Sequence, residues 1–164
     1  VVGGKLVKLT SEQFVETIDY NLRTIWHTLA AIYPGMKAAG GNISIINIGS
    51  IAGAAGIPKF ADYSAVKAGL YGLTKTVAKE WARFKTVRCN TILVGNVKFP
   101  EGYAPQGIGK KASKALSMNN PFAGVVSTPK DIANIALFLA SDDSVAINSE
   151  IINAAGGLYS ISGE

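Results

Sequence analysis

Residues 60–75 read FADYSAVKAGLYGLTK. Val66, Leu70, Leu73, Val77, Trp81 and Phe84 recur at steps of three and four. That spacing predicts a helix from near Asp62 to about Phe84 with one apolar seam. Tyr63 and Lys67 stand four apart, so they share a face one turn from each other. Gly69 and Gly72 weaken such a helix by about 1 kcal/mol each relative to alanine, which fits close packing of a neighbouring helix. Lys75, Lys79 and Arg83 form a basic stripe on it, read as a solvated face.

Outward from this helix the pattern alternates. NISIINIGS (42–50) is β-rich and nearly all apolar, a buried strand. IAGAAGIP (51–58) reads as a small-residue loop, and KTVRCNTILV (85–94) as a second buried strand. Before them, TSEQ (10–13) is a capping box. It opens an amphipathic helix of about seven turns carrying Phe14, Ile18, Leu22, Ile25, Leu29, Ile32 and Met36. Pro34 should bend its last part and Gly40–Gly41 should end it. TPKDIANIALFLAS (128–141) is a third helix, with Thr128 as cap and Pro129 in its first turn. SEIINAAGG (149–157) closes with a short strand and a glycine turn. The order helix, strand, helix, strand, loop, helix, strand predicts an α/β fold, a Rossmann-like parallel sheet joined by right-handed crossovers. Residues 1–164 read as a single domain. Residues 95–127 are irregular, and so long an excursion marks a functional loop.

Composition narrows the function. The chain of 164 residues is 48% apolar and 16% charged with 18 glycines, as a globular α/β domain is. No apolar run approaches the roughly 20 residues that span a membrane, and VVGGKLVKLT (1–10) has no signal-peptide core. The one cysteine, Cys89, cannot form an internal disulfide and fits a reducing, cytoplasmic setting. It lies in a strand, as a buried thiol. The net charge of +5 comes with no nucleic-acid-binding motif, so neither nucleic acid nor membrane is an expected partner.

Function in open parallel sheets gathers at the carboxyl ends of the strands. Ser50 ends the first strand, and Tyr63 and Lys67 open the helix that leaves the same edge. An ammonium about 4–6 Å from a phenol favours the phenolate and lowers a pKa that is otherwise about 10. A serine hydroxyl beside it can hydrogen-bond a substrate oxygen. The set suits interconversion of a small-molecule alcohol and a carbonyl, and it needs a hydride carrier that no side chain supplies. Asn21 and Asn47 read, on their own, as satisfied polar groups. His27 reads as a surface or interface residue.

NIGSIAG (47–53), YSAVKAGLYGLTKTVAKEWA (63–82), VRCNTILVGNV (87–97), LFLASDDS (137–144) and the terminal Gly156–Gly157 together resemble the second half of the short-chain dehydrogenase/reductase family. The resemblance covers nearly the whole chain, including the thirteen-residue step from Ser50 to Tyr63 and the four-residue step to Lys67. It implies Tyr63 as the acid/base and Lys67 as the group that lowers its pKa and binds the nicotinamide ribose. It implies Ser50 as the substrate-polarising serine, and Asn21 as the helix residue that helps hold a proton-relay water. Asn47 matches a structural strand asparagine. The implied cofactor is NAD or NADP, with Tyr63, Lys67 and the backbone of Val97 as contacts.

Departures are equally specific. The family's Thr-Gly-x-x-x-Gly-x-Gly loop and Asn-Asn-Ala-Gly segment have no counterpart, so the chain is expected to be truncated, starting in mid-fold. Val94 stands where the family has proline, Phe99 where it has threonine, and Ala154–Ala155 where an aspartate is usual before the glycines. The family also implies a homo-oligomer through the helices at 12–39 and 62–84. The competing expectation is a truncated, non-catalytic interaction module that oligomerises through those helices.

Overall fold

The computed structural model describes residues 4–39, 41–84, 87–98 and 127–157. A 3-10 turn (Leu6–Lys8) leads to α1 (Ser11–Ile18), which passes through a π-helical stretch (Asp19–Arg23) into α2 (Thr24–Ala39). There follow β1 (Ile43–Ser50), α3 (Ile51–Ala55), α4 (Ala61–Trp81) with a 3-10 tail (Ala82–Phe84), β2 (Val87–Val94), α5 (Pro129–Ala140), a 3-10 turn (Asp142–Ser144) and β3 (Ile151–Ala154). The three strands form one parallel sheet in the order β1-β2-β3. The expected α/β architecture is present.

Local signals set the helix starts. Thr10 Oγ1 accepts from the Gln13 N–H (3.3 Å) while Gln13 Oε1 accepts from the Thr10 N–H (3.1 Å). Thr128 repeats the device with Asp131, whose Oδ2 accepts from the Thr128 N–H at 2.7 Å. Each cap satisfies amides that a helix start leaves free. Three expectations need correction. The long first helix is interrupted by the π turn, where Leu22 seats against Gly69 of α4: a Cβ on Gly69 would lie 3.0 Å from Leu22 Cδ2. Gly72 faces open space and serves no such contact. The stretch after β1 is not a plain loop. Ser50 Oγ caps the short α3 by accepting from the Ala52 N–H (3.2 Å). α2 itself runs past Pro34 to Ala39, directly before the Gly40–Gly41 pair expected to end it.

β2 is the sheet's centre, buried at every position but Val94. Its alternation assigns the two faces. Val87 and Cys89 pack with Leu29, Val77, Ala78 and Trp81 of α2 and α4, whereas Ile92 packs with Leu139 of α5 and with Ala154. Burial pushes the Cys89 thiol up to about 12, as an inert core thiol requires. Between β1, α4 and β2 a buried polar chain is closed: Asn47 Nδ2 donates to Thr74 Oγ1 (2.9 Å), which meets Thr91 Oγ1 at 2.7 Å. Asn47 is thus a structural residue.

The α5 face holds a buried cation. Arg88 donates through Nη1 to the Ser144 carbonyl and hydroxyl (3.0 and 2.9 Å) and through Nη2 to the carbonyls of Leu139 and Ser141 (3.2 and 3.1 Å). These oxygens gather where α5 ends, the negative pole of the helix.

β1 lies at the edge of the sheet. Among the described residues it has one neighbour, β2, and Ile48 is 50% exposed, so it is half-buried. Which backbone groups face outward follows from the register. The Thr91 N–H bonds Glu150 O and Cys89 O accepts from the Ser149 N–H, both toward β3. The even-numbered residues of β2 therefore face β1. With Ile48 in register with Ile92, the even-numbered residues of β1 turn their N–H and C=O away from β2. Ile48 and Ser50 are among them. Most of the expected excursion, residues 99–126, lies outside the described residues. At its mouth Val97 pairs with Ser127 in a parallel bridge, and the Lys98 N–H donates to Ser127 O at 2.8 Å.

Candidate active site

The sheet delivers Ser50 at the carboxyl end of β1, in register with Val94 at the end of β2. A turn through Gly56 and Lys59, both with positive φ (67° and 72°), then feeds α4. The Ile57 N–H donates to Ser64 Oγ (3.2 Å) and fixes that corner. Asp62 is 1% exposed and accepts from Thr17 Oγ1 at 2.7 Å, which ties the start of α4 to α1. α3 lies directly on α4: a Cβ on Gly53 would be 2.5 Å from the carbonyl carbon of Lys67 and 2.7 Å from the Ala68 nitrogen. Only glycine permits that approach, because the obstacle is backbone.

These supports bring Ser50, Tyr63 and Lys67 together. Tyr63 is half-buried and close enough to the Ser50 side chain for that hydroxyl to act on its pKa. The Lys67 ammonium stands 5.5 Å from the centroid of the Tyr63 ring. It donates to the Ile48 carbonyl at 2.9 Å, one of the groups facing away from β2. Burial pushes the Tyr63 hydroxyl above the ordinary phenol value, and the Ser50 side chain pulls it partly back. The expected lowering by Lys67 is not found: burial sets the direction, and the opposing influence is that of Ser50. Burial also draws Lys67 below the usual ammonium range. Both groups are driven toward their neutral forms.

Asn21 and Val97 have other partners. Asn21 falls within the π turn, beside the Leu22 contact to α4, but its Nδ2 donates to Thr17 O of its own helix (2.9 Å). Val97 lies three residues past Val94, beyond the same end of the sheet. In its parallel bridge the flanking residues make the bonds to Ser127, so the Val97 N–H and C=O face the other way. His27 is exposed, edge-on to the Trp26 ring at 4.7 Å.

Sequence reading overlooked Tyr71. Its hydroxyl donates to the Ser50 carbonyl and accepts from the Ser50 N–H (3.2 Å). Burial raises its pKa most, the bond to the Ser50 backbone lowers it, and the nearby Tyr63 charge raises it again. The signal was available: the Tyr63–Lys67 step of four, taken once more, lands on residue 71. Among the described residues no His, Cys, Asp and Glu group could hold a metal ion, and no helix is long and apolar enough to cross a membrane.

Residues 2–159 match the family model described as enoyl-(acyl carrier protein) reductase. The chain is 33% identical over 154 residues to the (3R)-3-hydroxyacyl-CoA dehydrogenase of Rattus norvegicus, covering 94% of this chain and 58% of the rat protein. It is 33% identical over 154 residues to the 3-oxoacyl-[acyl-carrier-protein] reductase FabG of Thermotoga maritima, covering 93% and 60%. A crystal structure of a short chain dehydrogenase from Bacillus anthracis superposes with a TM-score of 0.82 at 24% identity, covering 99% of this chain and 61% of that one. The chain thus spans about three-fifths of the length of these relatives.

Proposed function

The chain belongs to the short-chain dehydrogenase/reductase family, and from that premise we propose that it carries the proton-transfer apparatus of an NAD(P)-dependent oxidoreductase that interconverts an alcohol and a carbonyl. The observation that supports this most is the Lys67 ammonium 5.5 Å from the centroid of the Tyr63 ring and bonded to the Ile48 carbonyl, at the carboxyl end of β1 where Ser50 stands.

The donor set suits a nicotinamide ribose. An ammonium has three N–H groups, and Lys67 spends one on Ile48 O, which leaves two for sugar hydroxyls. The outward-turned backbone of Val97 offers a further contact. A bound nicotinamide supplies hydride at the carbonyl carbon. The residues do the rest in the reducing direction. Ser50 Oγ donates a hydrogen bond to the carbonyl oxygen and polarises it. As negative charge develops there, Tyr63 transfers its phenolic proton to that oxygen. Lys67 then stabilises the phenolate, whose charge offsets the burial that disfavours it. In oxidation the phenolate takes the proton back. Asn21 is proposed to hold the relay water through which Lys67 exchanges protons with solvent.

The relatives named for 3-hydroxyacyl and 3-oxoacyl thioesters make such a thioester the first substrate to try. The assay is a 3-oxoacyl thioester with NADH or NADPH, followed at the nicotinamide absorbance, on the chain alone and on a fusion that places a glycine-rich dinucleotide-binding segment before Val1. Turnover is expected in the fusion, with little nicotinamide binding in the chain alone. A fusion that binds cofactor yet reduces no carbonyl would refute the reading.

Self-association through α1–α2 and α4 belongs to the same proposal. Most of the apolar seam of α1–α2 turns inward, with Leu29 buried, while its Ile32 is 39% exposed and Val15 and Trp26 beside it are 53% and 52% exposed. Light scattering is expected to report at least a dimer, and Val15→Glu with Trp26→Glu should shift it toward monomer. A monomeric parent would sink this part alone.

A further inference from the structure

The Tyr71 ring is buried among Ile51, Leu93 and Ala155. Gly49 makes room for it: a Cβ there would fall 2.8 Å from Tyr71 Cε1 and 2.6 Å from Thr91 Cγ2. The ring therefore has little freedom, and its hydroxyl is delivered to one place. That place is the N–H and C=O of Ser50, which face away from β2. Ser50 is the last residue of its strand, where backbone groups without a ladder partner fray. One phenol engages both. Its proton goes to the carbonyl and its lone pair to the amide, so Tyr71 has no proton left to offer a substrate.

We propose that Tyr71 is a positioning residue that clamps the backbone of Ser50 and so aims Ser50 Oγ at the Tyr63 hydroxyl and the substrate oxygen. The proposal rests on the alcohol–carbonyl reading of the site. With the backbone held from both sides, χ1 is the freedom that remains to Ser50, and the hydrogen bond from the Ala52 N–H to Oγ selects its rotamer.

The test is Tyr71→Phe in the 164-residue chain, read by amide hydrogen exchange and by the χ1 scalar couplings of Ser50. The Ser50 amide is expected to exchange roughly ten-fold faster, as loss of one hydrogen bond implies, and the couplings to average between rotamers. The Ile92 and Leu93 amides at the sheet centre should keep their rates. Unchanged exchange and couplings at Ser50 would overturn the clamp. Should the variant not fold, the parent decides. Its Ser50 amide must be protected and its Ser50 χ1 single-valued, and failure of either overturns the proposal. In the fusion that turns over, kcat should fall about ten-fold at unchanged KM; an unchanged kcat beside a loosened Ser50 would overturn the positioning role. Exchange and couplings need no turnover. An inactive fusion therefore counts against the reaction assigned to the site, while the clamp is decided separately.

Discussion

Tyr63→Phe is expected to lower kcat by roughly 100- to 10,000-fold, the contribution of a positioned general acid–base group, while nicotinamide affinity stays nearly unchanged. The variant removes one oxygen and keeps the ring that packs beside Lys67, so the loss falls on the proton in flight. The phenol's pKa is raised by burial in the free chain. The reduction direction, which needs the protonated phenol, should therefore hold its rate as pH rises past neutrality and fail only in the alkaline range. Lys67→Ala is expected to damage both kcat and cofactor affinity, because its ammonium serves the phenolate and the ribose. Steady-state kinetics with a parallel nicotinamide titration separates the two variants. Equal and mild effects from both would refute the division of roles.

Arg88→Ala should be the most damaging change to stability that leaves the site residues untouched. Four hydrogen bonds from a cation are lost at once, along with the packing of a side chain 6% exposed. Bonds to charged groups contribute about 1.5–3 kcal/mol each in isolation and do not add. The oxygens also keep other donors, such as Ser44 Oγ on Leu139 O and the Ile147 N–H on Ser144 O. A net loss of about 3 kcal/mol follows on those grounds. Arg88→Met restores most of the volume and none of the donors, so it should recover only the packing share. Urea unfolding of the three proteins gives the numbers. A loss below about 1 kcal/mol for Arg88→Ala would mean that the buried cation and its hydration in the unfolded chain nearly cancel.

Legibility in the sequence followed the range of the interactions. Both capping boxes lie within four residues, and the Thr10 one was readable in full, whereas at Thr128 the partner Asp131 came only from the structure. Tyr63 and Lys67 share a helical turn, so their juxtaposition needed nothing but period. Ser50 required one more assumption, the handedness of the crossover, and that holds generally. The π turn had no local mark, and its Leu22 lies against Gly69 of another helix, a contact between residues 47 apart in the chain. α3 was hidden by its glycines, which read as breakers, although Gly53 is there for the approach to Lys67. Arg88 passed unread in an apolar run, since its partners lie more than fifty residues away. The lowered Tyr63 pKa was a statement about charge, and the finding turned on desolvation, which sequence does not display.

The bond from Lys67 to the Ile48 carbonyl gives the lysine two claimants. Its nitrogen is wanted by a ligand hydroxyl, and the carbonyl it holds is the acceptor that a further strand laid along β1 would engage. The two events are thermodynamically linked, and linkage runs both ways by the same factor. A peptide N–H that takes over the Ile48 oxygen would free the one ammonium N–H now held there, and a ligand that draws the ammonium away would leave that oxygen open to a peptide. A strand added along β1 and a ligand drawn to Lys67 would thus be coupled through the Ile48 carbonyl.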